Sequence, residues 1–79
     1  MIKNISNLGD AAIYCDFGSE VNREINHEVI KYFKTLTSKN IKGITNLAPS
    51  YNKLIVTFDL DFINYKELVE KIINLKPDE

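Results

Sequence analysis

The sequence predicts a small α+β domain, a two-layer sandwich with the order β-β-α-β-β-α. Three observations point there. The stretches Ala12–Phe17 and Lys53–Asp59 alternate apolar and wetter residues with a period of two, as half-buried strands do. Apolar residues recur every three to four positions across Val21, Ile25, Val29, Phe33 and Leu36, and again across Tyr65, Leu68, Val69, Ile72 and Leu75, as on one face of a helix. Each helical stretch follows a pair of strand stretches. Two hairpins, each followed by a helix, are satisfied by one antiparallel four-stranded sheet with both helices on one face.

Length and composition set the bounds. Seventy-nine residues make one domain, placed at 1–76 with a tail at 77–79. The chain is 44% hydrophobic, with four Tyr, four Phe and no Trp, enough for one thin core between two layers. A formal net charge of −1 gives no bias toward nucleic acid or an anionic membrane. The longest apolar runs are about four residues, far short of the roughly 20 that a membrane helix needs. The opening Met1-Ile2-Lys3-Asn4-Ile5-Ser6-Asn7 lacks the apolar core of a signal peptide, so a cytoplasmic location is expected. One cysteine allows no internal disulfide.

Ile2 to Asn7 alternates weakly about Ile5 and reads as a short edge strand. Leu8-Gly9-Asp10 turns into the next strand, with Gly9 supplying positive φ and Asp10 suited to bond an amide two residues on. In that strand Ile13, Cys15 and Phe17 share the core face, while Ala12, Tyr14 and Asp16 share the other. Gly18 marks the exit. Ser19 suits an N-cap, with Glu20 and Glu24 near the positive pole of a helix running from about 20 to 37. Residues 38–43 read as a loop. Ile44–Pro49 reads as a strand with Pro49 at its end or on an edge, since proline donates no ladder bond. Pro49-Ser50-Tyr51-Asn52 turns into Lys53–Asp59, the most β-rich stretch and the expected central strand. Its Leu54, Val56 and Phe58 face one way, Ile55 and Thr57 the other. Asn64 caps the second helix, Glu67 and Lys71 stand as an i,i+4 pair, and Pro77 ends the helix. The outer sheet face carries Tyr14, Ile55 and, in this reading, Ile44. It is less polar than a solvated face should be, as if covered by something outside this chain.

Candidate chemistry is sparse. His27 is the only histidine; it sits mid-helix and has no nucleophile placed beside it by any motif. Cys15 occupies a core face, where it packs as a small hydrophobe rather than reacting. Asp16, Asp59 and Asp61 could gather around Mg²⁺, but Asp-x-Asp before a helix reads more simply as a solvated loop entry. No phosphate-binding glycine loop, zinc spacing or nucleophile elbow is present. The expectation is no catalytic, cofactor or metal residue.

One ordered pattern remains: Leu8-Gly9-Asp10-Ala11-Ala12, Phe17-Gly18, Asn26, Gly43-Ile44, Pro49-Ser50-Tyr51, Leu54-Ile55-Val56 and Phe58-Asp59. It resembles the N-terminal domain of the family that includes allophanate hydrolase subunit 1, the B component of 5-oxoprolinase and the KipI-type kinase inhibitors. The resemblance runs from about Ile5 to Leu75 and implies the same sandwich. It also implies a cyclophilin-like domain after a linker beginning near Pro77, and a second, related subunit with which the pair hydrolyses 5-oxoproline at the expense of ATP. No catalytic residue is carried over, and ATP is implied for the whole complex only. Two functional readings follow: a non-catalytic domain that assembles a hydrolase, or a regulatory module that binds a sensor histidine kinase. Self-association through an exposed sheet edge is a third. Gly9, Asp10, Gly18, Pro49 and Tyr51 are the structural or interaction candidates, with Asp10 expected to act first as a turn residue.

Overall fold

The structure, a computed structural model, describes residues 2–19 and 22–75. Its elements are β1 (Asn4–Asn7), β2 (Ala12–Asp16), α1 (Arg23–Lys39), β3 (Ile44–Pro49), β4 (Lys53–Phe58) and α2 (Tyr65–Ile73). The sheet runs β1-β2-β4-β3, and each neighbouring pair is antiparallel. β4 is internal, as its apolar run requires. Ile13 lies opposite Val56 and Cys15 opposite Leu54, all four fully buried. Val29 and Leu36 of α1 and Leu68 and Ile72 of α2 join the same cluster, so both helices cover one face. Phe17, just past β2, meets the Tyr32 ring edge-on at 5.3 Å.

The ladders alternate in a regular way. Leu8 N donates to Ala12 O at 2.9 Å and Phe58 N to Ala11 O at 2.9 Å. Hydrogen-bonded pairs recur at every second residue. Ala12, Tyr14 and Asp16 therefore turn their backbone groups to β1, and Ile13 and Cys15 turn theirs to β4.

β3 is an edge strand, and Pro49 suits it. Ser50 N donates to Lys53 O at 2.8 Å, so the alternation leaves the Pro49 nitrogen facing outward, where no ladder bond is lost. The register runs from Ile44↔Phe58 to Asn46↔Thr57, with Thr45 extra between them. This bulge moves Ile44 to the buried side, where it packs against the core. The expectation of Ile44 on the outer face is thus corrected.

The first helix begins later than expected. Asn22, not Ser19, is its N-cap: the backbone there is extended (φ −144°) and its side chain accepts from Ile25 N at 2.9 Å. Residues 17–19 are held elsewhere, because Asp16 Oδ1 accepts from Gly18 N at 3.0 Å and Gly18 O accepts from Asn52 Nδ2 at 2.7 Å. α1 also continues two residues past 37 and ends at Asn40, whose left-handed backbone (φ 50°) is one asparagine tolerates. Asn64 and Glu67 form a reciprocal capping box at α2. Glu67 turns back to the Asn64 amide at 3.4 Å instead of forming the ion pair expected with Lys71. The expectations for Glu20, Val21, Pro77 and the tail 77–79 lie outside the described residues.

Gly9, Gly18 and Gly43 all have positive φ, and the first and last differ in what surrounds them. Gly9 (φ +76°) has open space where a Cβ would stand, whereas at Gly43 (φ +108°) that carbon would lie 2.6 Å from Ile63 Cγ2. Gly9→Ala should therefore cost about 1 kcal/mol from backbone strain alone. Gly43→Ala should cost about 1–3 kcal/mol more, because packing must also shift. Urea unfolding of the two variants checks the order, and equal losses would contradict it.

Candidate functional site

The five candidate residues do not converge. β2 separates Gly9 and Asp10 at one end of the sheet from Gly18, Pro49 and Tyr51 at the other. A five-residue strand spans on the order of 17 Å.

The Gly18 end is a polar tie. Phe17 N donates to Asn52 O at 3.0 Å, Asn26 Nδ2 to Tyr51 O at 3.1 Å, and Lys53 Nζ to Asn52 Oδ1 at 3.0 Å. With the Asn52–Gly18 bond, these link the β2–α1 connection, α1 and the β3–β4 turn. Asn52 is the centre of this network, although in sequence it stands out only as an ordinary turn residue. Tyr51 enters through its carbonyl, and the residue is 45% exposed.

The Gly9 end is different. The backbone bond from Leu8 to Ala12 closes the hairpin, and the Asp10 carboxylate makes no hydrogen bond among the described residues. The expected side-chain turn at Asp10 is absent. That geometry occurs instead at Asp16 and at Asp59, whose Oδ1 accepts from Asp61 N at 2.9 Å. Asp59 N donates to Gly43 O at 2.6 Å, which brings the 59–63 loop beside the start of β3. Leu8, Leu60 and Phe62 are exposed at this end, and Lys42 Nζ lies 4.9 Å from the Phe62 ring centre. Asp10 thus stands free beside exposed apolar side chains.

The outer sheet face is open. Tyr14 sits directly opposite Ile55, flanked by Ala48 on β3 and Ser6 on β1. Asp16 lies opposite Lys53 on the same face.

Titratable groups do not assemble into a reaction centre among the described residues. Burial pushes the Cys15 thiol up to about 12, so a thiolate is scarce at neutral pH. Burial, then the Glu28 charge, raises the Tyr32 hydroxyl as well. His27 is exposed. No group of three His, Cys, Asp or Glu among the described residues is placed to hold a metal ion. Asp16 and Asp59 lie at opposite ends of the sheet, so the Mg²⁺ arrangement does not form. No helix of the described residues is long and apolar enough to cross a membrane.

Residues 3–79 match the family described as carboxyltransferase domain, subdomain C and D. The chain belongs to that family. A conserved uncharacterized protein from Pyrococcus horikoshii superposes with a TM-score of 0.84 at 28% identity, covering 89% of this chain and 32% of that one. Kluyveromyces lactis urea carboxylase shares the fold, with a TM-score of 0.82 at 21% identity over 87% of this chain and 6% of its own. The N-terminal domain of the histidine kinase inhibitor KipI from Bacillus subtilis gives a TM-score of 0.67 at 29% identity, over 87% of this chain and 67% of that one. No curated protein matches the sequence. This carboxyltransferase-family chain spans about a third of the length of the Pyrococcus protein, at 32%.

The Cys15 shift has a consequence for stability. Its pKa is higher in the fold than in the unfolded chain, so the unfolded state loses its proton first as pH rises. The contribution is complete below the ordinary thiol value of 9.0 and falls away as pH climbs toward about 12. Cys15→Ala should therefore flatten the alkaline loss of stability relative to the parent, read by urea unfolding across that range. A parallel loss in both proteins would contradict the burial of the thiol as its cause.

Proposed function

We propose that this chain is a non-catalytic domain of a protein like the B component of 5-oxoprolinase or allophanate hydrolase subunit 1. In this reading it works in the cytoplasm and assembles with a second, related subunit for ATP-dependent hydrolysis of 5-oxoproline. The observation that carries the reading is the match of residues 3–79 to a carboxyltransferase subdomain. The use of the side chains is consistent with it. Asn22, Asn52, Asn64 and Asp16 hold caps and turns, and the apolar groups left at the surface suit docking. ATP and substrate are bound elsewhere in the complex, and no residue here is assigned to them.

The second reading rests on the 29% identity to the N-terminal domain of KipI, a histidine kinase inhibitor. In that case the chain binds a sensor histidine kinase and slows its autophosphorylation.

Co-expression with the second subunit separates these readings. The first expects a co-purifying complex that turns over 5-oxoproline with ATP, while the chain alone is silent. Turnover by the chain alone, or failure to join the subunit, would refute it. A loss of kinase autophosphorylation without any subunit complex would favour the second reading. Because its carboxylate holds nothing in the fold, Asp10→Ala should melt like the parent, within about 0.5 kcal/mol. Its effect should appear in assembly with the partner, measured by pull-down or calorimetry.

A further inference from the structure

The two edges of the sheet are not alike. On β3 one of the outward nitrogens belongs to Pro49 and Thr45 forms a bulge, two devices that hinder strand addition. On β1 neither is present. Asn4-Ile5-Ser6-Asn7 carries no charge and no proline. The Leu8–Ala12 bond sets the alternation, so Asn4 and Ser6 bond to β2 while the N–H and C=O groups of Ile5 and Asn7 point away from the sheet. Among the described residues no strand pairs with that side of β1.

An apolar flank borders this edge on the helix side. Ile2, Ile5, Tyr32, Val69 and Ile73 line one groove together with Lys3 and Asn4, and Ile73 is 64% exposed, the most open of the large apolar side chains described.

We propose that β1 is a homodimer seam, at which two copies pair antiparallel about Ile5 and join their sheets into one of eight strands. The outward groups of Ile5 and Asn7 let a second copy pair with Ile5 opposite Ile5 or opposite Asn7, and the first brings the two Ile5 side chains together. Residues opposite each other in an antiparallel pair lie on the same face. With Ile5 opposite Ile5, both helix layers fall on one side of the joined sheet and the two Ile73–Val69 flanks meet. A slip of one residue would put the helices on opposite sides and leave both flanks in water. Lys3 gives its N–H to Asp16 O at 2.7 Å, so in the Ile5 register only its C=O is left for Asn7 of the other copy, and no like charges oppose. Each Ile5 then gives its N–H to the other's C=O. The hindered β3 edge closes the assembly at two, as a two-fold interface requires. The proposal concerns the chain alone and does not rest on the hydrolase reading.

Sedimentation velocity and amide hydrogen exchange on the purified full chain test it. The mass should rise with concentration from 9.1 kDa to twice that and stop there. Ile5 and Asn7 amides should gain protection in step with dimer formation. Ile73→Glu changes an exposed side chain, and Asn7→Pro removes a donor that β2 does not use. Each should weaken the dimer by about tenfold or more, while the dilute protein keeps its circular dichroism spectrum. If Asn7→Pro fails to fold, Ile73→Glu and the parent's exchange pattern decide. A monomer up to about 1 mM, a mass beyond the dimer, unprotected Ile5 and Asn7 amides in a dimer, or a dimer indifferent to Ile73→Glu would overturn the seam.

Discussion

Between β2 and β4, Ile13 lies against Val56 and Cys15 against Leu54, and none of the four is exposed to solvent. Cross-strand pairs of this kind stabilise a sheet locally, and here they also form the floor on which both helices rest. β1 and β3 are added at the two sides, and α1 and α2 place Val29, Leu36, Leu68 and Ile72 on the same floor. A chain of this size has room for only one such cluster. Replacing any of the four by a polar residue would bury an unsatisfied group at the point where every element meets.

The polar side chains have mostly local work. Asn22 and Asn64 cap helices, Asn40 ends one, and Asn52 ties the β3–β4 turn to the exit of β2. No polar or charged side chain is buried among the described residues. A site for chemistry ordinarily brings titratable groups into a cleft where their pKa values are tuned. The Cys15 thiol is strongly shifted, but it is sealed in the core and pointed away from reactivity. What faces outward is the Tyr14–Ile55 strip, the Leu8, Leu60 and Phe62 end, and the β1 edge. These are the surfaces at which the proposed contact with a partner would fall.

Strong periodicity made most of the fold legible. The faces of β2 and β4, the bounds of β3, the stripe on α2 and the Asn64 cap could all be read from residue type and spacing. The misreadings share a cause, which is that several residues were locally competent for one role. Ser19 and Asn22 can both cap a helix, and the bonds of Gly18 to Asp16 and, across 34 positions, to Asn52 hold Ser19 away from that role. Asp10 and Asp16 both suit a side-chain turn, but the hairpin closes through its backbone and leaves Asp10 free. Glu67 could serve Lys71 or the Asn64 amide, and the amide wins at the helix start. Ile44 changed faces because a bulge inserts one residue, which strict alternation cannot foresee. The strand between Gly9-Asp10 and Gly18 is plain in the sequence, whereas the tie that brings the β3–β4 turn to the Gly18 end joins residues 34 positions apart.

Native-state hydrogen exchange measures the central claim directly, because it ranks every amide by the free energy needed to open it. The backbone groups of Ile13 and Cys15 face β4 at the centre of the sheet, and those of Leu54 and Val56 face β2. These four amides should exchange last, with opening free energies that merge with that of global unfolding, and α1 and α2 should open before them. Amides of α1 that outlast the β2–β4 pair would show that the helix, and not this strand pair, holds the fold together.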